Sequence, residues 1–233
     1  MRNSNEMIMP ESEIVKAQQD FLSKVYAWMV GGLLITSLTA WYIFSSGYWM
    51  QIVSNSILFY ELIIGELALV FILSAKVQSM TTFLAGSLFI LYSALNGLTL
   101  SVILAVYTAE SVQQVFLISA GMFAGLSVFG FVTKKDLSGL GRFMFMGLIG
   151  LLITMFINIF IGSSMLEFLF SVVGVIVFAG LTAYDTQKLK EMYMVQFEGG
   201  DVATKASIIG ALTLYLDFIN LFLFLLRLFG NRR

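Results

Sequence analysis

The sequence predicts an all-α membrane protein, a seven-helix transmembrane bundle, and its apolar content and its charge spacing predict it together. Of the 233 residues, 59% are hydrophobic and only 12% are charged, about half the charge of an ordinary soluble domain. No Asp, Glu, Lys or Arg stands between Lys24 and Glu61, between Lys76 and Glu110, or between Arg142 and Glu167. Each gap has room for a helix across a hydrocarbon core ~30 Å thick, which takes about 20 apolar residues at 1.5 Å rise. A soluble core helix needs a polar face, and these stretches offer none. Pro10 is the only proline, so no segment carries a proline kink.

Hydropathy divides the chain into seven segments, at about 25–45, 53–75, 82–106, 112–133, 142–161, 167–186 and 206–229. Residues 1–24 form a polar tail, read as cytoplasmic, and 25–233 a single transmembrane domain. The tail mixes acids, bases and amides with no short apolar core and cleavage site, so the first segment is expected to remain as an anchor. The two longest polar joins, 134–141 and 187–205, are too short for a soluble domain. Pairs of small residues, Gly31 with Gly32, Gly121 with Gly125 and Gly147 with Gly150, are expected where helices approach closely.

Basic residues set the orientation. Arg2, Lys16, Lys24, Lys76, Lys134, Lys135, Arg142, Lys188, Lys190 and Lys205 fall in the tail and at alternate joins, while the remaining joins carry acids such as Glu110 and Glu167. This alternation puts the N-terminus in the cytoplasm. Arg227, Arg232 and Arg233 break it, because a seventh full crossing carries them outside. Spanning is the preferred reading of 206–229; a re-entrant hairpin is the alternative.

Several functions drop out on composition. Cys and His are absent, which removes disulfides, thiolate metal sites, a His base and a Cys nucleophile. A net charge of −1 gives no footprint for nucleic acid. No resident cofactor is expected.

The informative residues are acids inside apolar runs. Glu66 lies in the middle of the second segment, Asp185 toward the cytoplasmic end of the sixth, and Asp217 near the centre of the seventh. An Asp at mid-membrane costs roughly 2.5–3.5 kcal/mol on insertion scales, so the bundle must receive these groups. Glu61 lies about 140° around the helix from Glu66 and is expected at the interface or a cavity mouth. Thr213, Asp217 and Asn220 follow i, i+4, i+7 spacing and form one polar stripe, extended by Gly210, that should face protein or water. Two carboxylates brought together in low dielectric share a proton and titrate as a pair. Such a pair responds to pH and, when ionised, suits Ca²⁺ as a hard oxygen site.

Three blocks carry a resemblance: Asp136-Leu-Ser-Gly-Leu-Gly-Arg142, Tyr184-Asp185-Thr-Gln-Lys188 and Leu214-Tyr-Leu-Asp217-Phe-Ile-Asn220-Leu-Phe. Over about residues 20–230 the chain resembles the Bax inhibitor-1 (lifeguard-type, transmembrane Bax inhibitor motif) family. Its short N-terminal tail is similar to bacterial members, which places it in the inner membrane. The resemblance implies that the last helix is central to the other six. It also implies an Asp pair on the sixth and seventh helices, here Asp185 and Asp217, acting as a pH sensor that controls Ca²⁺ leak. Glu66 matches the family's pathway glutamate. Lys76 matches its basic latch position, where a Lys does not reproduce an Arg fork.

The leading expectation is a passive, pH-modulated, Ca²⁺-permeable leak channel, with Ca²⁺ held transiently by Asp185 and Asp217 as the permeating ion, supported by Asn220 and Thr213. Its partners are then the lipid bilayer, Ca²⁺ and protons. A second reading is a regulatory protein that binds a membrane-embedded protease, as some bacterial relatives are thought to do. An intramembrane aspartyl protease fits worse: Leu214-Tyr215-Leu216 precedes Asp217 where Gly-x-Gly is needed, and no proline is available for a Pro-Ala-Leu element. The protein is therefore not expected to be an enzyme.

Overall fold

The computed structural model describes residues 10–192 and 200–233. Arg2 and the rest of residues 1–9, and residues 193–199 of the sixth join, lie outside the described residues. Among the described residues eight α-helices follow one another: α1 (Glu11–Ser45), α2 (Trp49–Ser54), α3 (Ser56–Lys76), α4 (Thr82–Val106), α5 (Ala109–Val132), α6 (Ser138–Ile161), α7 (Ser164–Glu191) and α8 (Gly200–Phe229). Among the described residues there is no strand, only an isolated antiparallel bridge between Tyr107 and Arg232. Seven of the helices, all but α2, are long and apolar enough to cross a membrane. They correspond in order to the seven hydrophobic segments.

Local chemistry sets the helix starts. A helix N-terminus leaves backbone N–H groups without intrahelical partners, and a short polar side chain can accept from them. Asn55 does this for Ile57 and Leu58 at the head of α3, Thr81 for Leu84 in α4, Thr108 for Ser111 in α5 and Ser163 for Leu166 in α7. At the other end of α6, Gly162 adopts φ 65°, a left-handed closure that favours glycine. The helices overrun the hydrophobic segments because their ends still find partners. Thus α1 begins at Glu11, and its Phe21, Leu22 and Val25 are buried.

The last helix lies in the centre, packed against α1, α3, α4, α5 and α7. It is buried almost all the way round, from Ala203 to Leu226. Nearly every other helix turns a lipid-facing side outward, with Phe71, Phe83, Ile159 and Phe160 among the most exposed side chains. That inversion, an apolar rim around a buried central helix, is what a lipid solvent selects.

The ends of the bundle are distinct. At one end the Lys205 ammonium donates to the carbonyls of Gln78 (3.1 Å) and Met80 (3.4 Å), and Thr82 Oγ1 donates to Asp201 Oδ1 (3.0 Å). Lys190 donates to the Phe131 carbonyl at 2.8 Å at the same end. Between α5 and α6, Asp136 accepts from the hydroxyl and backbone N–H of Ser138, which hold its carboxyl below the usual carboxylate range. At the other end the C-terminal residues meet three different turns. Thr108 N–H donates to the Asn231 carbonyl, Arg233 N–H donates to the Val106 carbonyl, and Arg232 pairs with Glu167 at 3.2 Å. The Arg233 guanidinium lies over the Phe44 ring. The last helix therefore runs from one end to the other as a single crossing, and the re-entrant alternative falls.

Close helix approach uses fewer of the expected glycines than spacing suggested. Gly32 packs against Phe89 and Ser93, and Gly147 against Val177, whereas Gly31, Gly121, Gly125 and Gly150 have open space beside them. Gly31 and Gly32 point in different directions around α1, so only one of them need face a partner, whereas Gly121 and Gly125 share a face that makes no close contact. The tightest approaches lie elsewhere: Gly130 of α5 abuts the Ala183 carbonyl oxygen, and Gly141 of α6 abuts the Tyr184 ring.

Candidate functional site

The two tight glycines flank the turn of α7 that carries Asp185. A side chain at either position would overlap that turn, so glycine lets α5 and α6 clamp it. On the opposite side, Leu189 of α7 packs against Gly210 of α8 and fixes the antiparallel register of these two helices. With that register, Asp185 meets Asp217. The two carboxyl groups lie close enough to interact directly. Ionised carboxylates only accept, so a hydrogen bond between two of them takes one shared proton. Asp217 is 4% exposed and Asp185 is half-buried. Asp217 Oδ2 accepts from no N–H or O–H donor among the described residues. Lys188, one helical turn beyond Asp185, supplies the positive charge near the pair.

The polar stripe on α8 divides. Asp217 is buried against α7, but Thr213 and Asn220 are half-buried and turn their donors back onto their own helix. Thr213 Oγ1 donates to the Ile209 carbonyl at 3.1 Å, and Asn220 Nδ2 to the Leu216 carbonyl at 2.8 Å. Back-bonding of this kind satisfies the polar group without a partner helix.

Glu66 goes to a different place. Its carboxylate is half-buried between α3 and α4, where Thr99 Oγ1 donates to Oε1 and Asn96 Nδ2 donates to Oε2 at 3.3 Å. Asn96 continues the chain inward, because the Tyr215 hydroxyl of α8 donates to its Oδ1 at 3.0 Å. Tyr215 also lies 2.6 Å from Thr36 Oγ1 of α1, which in turn reaches the Ser93 carbonyl at 2.8 Å and the Gly32 carbonyl at 2.9 Å. A continuous hydrogen-bonded path thus crosses α3, α4, α8 and α1. Donors are scarce in it. Tyr215 and Thr36 bring one hydroxyl proton each, while Asn96 Oδ1, the two carbonyls and their mutual contact offer more places than two protons can fill. The rings of Phe89 and Tyr92 stand edge-on to Tyr215 and exclude lipid from it.

Lys76 lies exposed at the end of α3, and among the described residues its side chain has no hydrogen bond or ion pair to either acidic site. Lys205 fastens the α3–α4 turn to α8 instead. Glu61 is exposed, as an interfacial residue would be. The network residues Thr36, Asn96, Thr99 and Tyr215 were not singled out from the sequence. Asn96 carried the usable signal: an amide in the middle of an uncharged segment must hydrogen-bond across helices.

A lipid-exposed bundle with a buried central helix, and with acids on three helices received inside it, defines a polytopic α-helical membrane protein with an internal polar site. The family described as inhibitor of apoptosis-promoting Bax1 matches residues 18–233, and the chain belongs to this Bax inhibitor-1 family. It is 48% identical over 233 residues to the inner membrane protein YbhL of Escherichia coli, covering 99% of this chain and 97% of that one. It is 43% identical over 234 residues to an uncharacterized protein of Deinococcus radiodurans, covering 100% of this chain and 99% of that one. A Borreliella burgdorferi protein, also uncharacterized, is 41% identical over 225 residues, covering 96% and 97%. The chain is a bacterial-type member and an integral protein of the inner membrane.

Proposed function

We propose that the protein is a pH-modulated, Ca²⁺-permeable leak pathway, gated where Asp185 of α7 meets Asp217 of α8, with its N-terminus in the cytoplasm. The observation that carries this reading is the approach of two carboxyl groups from neighbouring helices, one of them buried. A structural role would be served by an acid bonded to fixed donors, as Glu66 is by Asn96 and Thr99. Asp217 instead faces a second carboxyl, and two carboxyls in low dielectric share a proton. Removing that proton leaves two like charges in contact, and the pair then repels across the α7–α8 interface. This is a local electrostatic change acting on the helix at the centre of the bundle, the kind of event that biases closed against open.

Ca²⁺ suits the ionised pair because it takes oxygen ligands and is a hard cation. It needs six to eight of them, and among the described residues no third Asp or Glu gathers at the pair. Two carboxylates therefore hold the ion in passage rather than store it. The test is Ca²⁺ efflux from proteoliposomes loaded with a Ca²⁺ indicator, compared between the natural sequence and an Asp185→Asn/Asp217→Asn variant across pH. Equal leak from both at every pH overturns the reading. Co-purification of a membrane-embedded protease, unaffected by Asp185→Asn, would point to a regulator that binds proteases instead.

A further inference from the structure

Helices α1 and α5 both pack on the central helix but do not close on each other among the described residues, so a lateral groove opens between them with α8 as its floor. In the half of the bundle opposite the N-terminus this groove widens into a cavity of about 500 Å³. It runs along α1 from Thr36 to Ser45, about 13 Å of helix at 1.5 Å per residue. Its inner end therefore lies near the middle of the membrane and its mouth at the surface. The walls are almost wholly apolar, with Trp41 on one side, Leu104 and Phe116 on the other, and Phe222 at the back. The polar groups are few: Thr36 and Ser37 at the inner end turn their hydroxyls back onto α1, and Ser45, Gln113 and Arg233 stand toward the mouth.

Arg233 is the feature that chooses an occupant. Its backbone N–H is fixed to the Val106 carbonyl at 2.9 Å, which holds the residue over the rim. Its guanidinium rests on the Phe44 ring, and no Asp or Glu side chain pairs with it among the described residues. Arg232 beside it is taken by Glu167. A cleft that opens sideways into hydrocarbon, apolar along its depth and cationic at its mouth, complements an acyl chain that ends in a phosphate. Water-borne ligands would have to cross the headgroups to enter it; lipid is already there.

From this geometry we infer that the α1–α5 groove is a binding site for one anionic glycerophospholipid of the leaflet opposite the N-terminus. The acyl chain lies between Trp41 and Phe116 and the phosphate meets Arg233. The inference does not depend on ion leak, since neither acidic site takes part.

Photo-labelling tests it on the intact chain in vesicles of equal parts phosphatidylethanolamine and phosphatidylglycerol. The probe is phosphatidylglycerol with a diazirine near the end of one acyl chain, and adducts are mapped by mass spectrometry. Phe156 and Phe160, on the outward face of α6, report contact with bulk lipid. Adducts at Phe116 and Phe222 should exceed those at Phe156 and Phe160. Arg233→Gln should lower groove labelling about fivefold relative to the α6 face, the weight of one cation near a membrane surface, and Arg233→Lys should restore most of it. Equal labelling of groove and α6 face overturns the inference. So does groove labelling that ignores Arg233→Gln, or a phosphatidylethanolamine probe that labels the groove as strongly as phosphatidylglycerol does.

Discussion

The Tyr215 hydroxyl donates to Asn96 Oδ1 at 3.0 Å, while Asp217, two residues further along the same helix, faces α7. Two residues span about 200° around an α-helix, so α8 presents one polar contact to α4 and α1 and another to α7 on nearly opposite faces. The central helix is the common member of both. Movement of α8 that relieves one contact is felt by the other, because packed helices shift as bodies.

Removing the Tyr215 hydroxyl isolates its share of this arrangement. Tyr215→Phe keeps the ring contacts with Phe89 and Tyr92 but strips Asn96 Oδ1 of its Tyr215 donor and leaves Thr36 only its two carbonyls. Interhelical hydrogen bonds in membranes average ~0.6 kcal/mol and reach about 1.7, so the expected loss of unfolding free energy is about 1 kcal/mol. Unfolding in mixed micelles reads it. A double cycle with Asn96→Ala should return a coupling in the same range, and additive losses would mean the two groups act independently.

The acid pair makes a separable prediction. Asn at 185 can donate its amide hydrogen to the Asp217 carboxylate, which supplies the link without a titrating proton. Asp185→Asn should therefore hold the α7–α8 contact at every pH, and Ca²⁺ efflux from proteoliposomes should lose its pH dependence while the protein stays folded. Asp217→Asn should do the same. Efflux that keeps the natural pH profile in both variants would remove the pair from gating.

Much of this was legible in the chain. Hydropathy located all seven crossings, and charge-free gaps sharpened the first, third and fifth, because the cost of burying a charge in lipid leaves little choice of where to put one. The partnership of Asp185 with Asp217 came from the family resemblance, since residues on different helices have no fixed relation until packing sets register. Here Gly210 against Leu189 sets it. Thr213 and Asn220 shared a stripe with Asp217 but satisfied themselves locally, which spacing cannot distinguish from bonding across helices. Tyr215 was hidden by its type: a tyrosine in an apolar run reads as a packing residue, and only its neighbours on α1 and α4 reveal a buried hydroxyl in use. Arg227, Arg232 and Arg233 argued against a seventh crossing by charge alone. Stacking of Arg227 on Phe170 and Phe224, and of Arg232 on Tyr107, gives two of them a place at the far end.

Lys205 ties the start of α8 to the α3–α4 turn through two carbonyls, at a half-exposed position. Lys205→Met should change global stability by no more than about 0.5 kcal/mol, as surface substitutions usually do. The effect belongs to the turn itself. Amide exchange over residues 77–82 should accelerate, while exchange in the middle of α4 stays as it was. Unchanged exchange in the turn would mean that Thr82 and Asp201 hold this joint without the lysine.

The clamp around Asp185 gives the sharpest contrast between glycines. At Gly130 a Cβ would fall on the Ala183 carbonyl oxygen, a backbone atom that cannot turn aside, and at Gly141 it would come 2.5 Å from the Tyr184 ring. At Gly125, on the same helix as Gly130, a Cβ meets nothing within 4 Å. Overpacking typically costs 1–3 kcal/mol, whereas alanine replacing an unhindered helical glycine gains up to about 1 kcal/mol. Gly130→Ala should therefore destabilise the bundle by about 2 kcal/mol and Gly125→Ala should leave it unchanged or firmer. Gly141→Ala should fall between them, because the Tyr184 ring can rotate where a carbonyl cannot. Thermal unfolding of the three variants in one detergent checks the order. If Gly130→Ala melts with Gly125→Ala, α5 and α7 are not in contact at the turn that carries Asp185, and the register that brings Asp185 to Asp217 is lost with it.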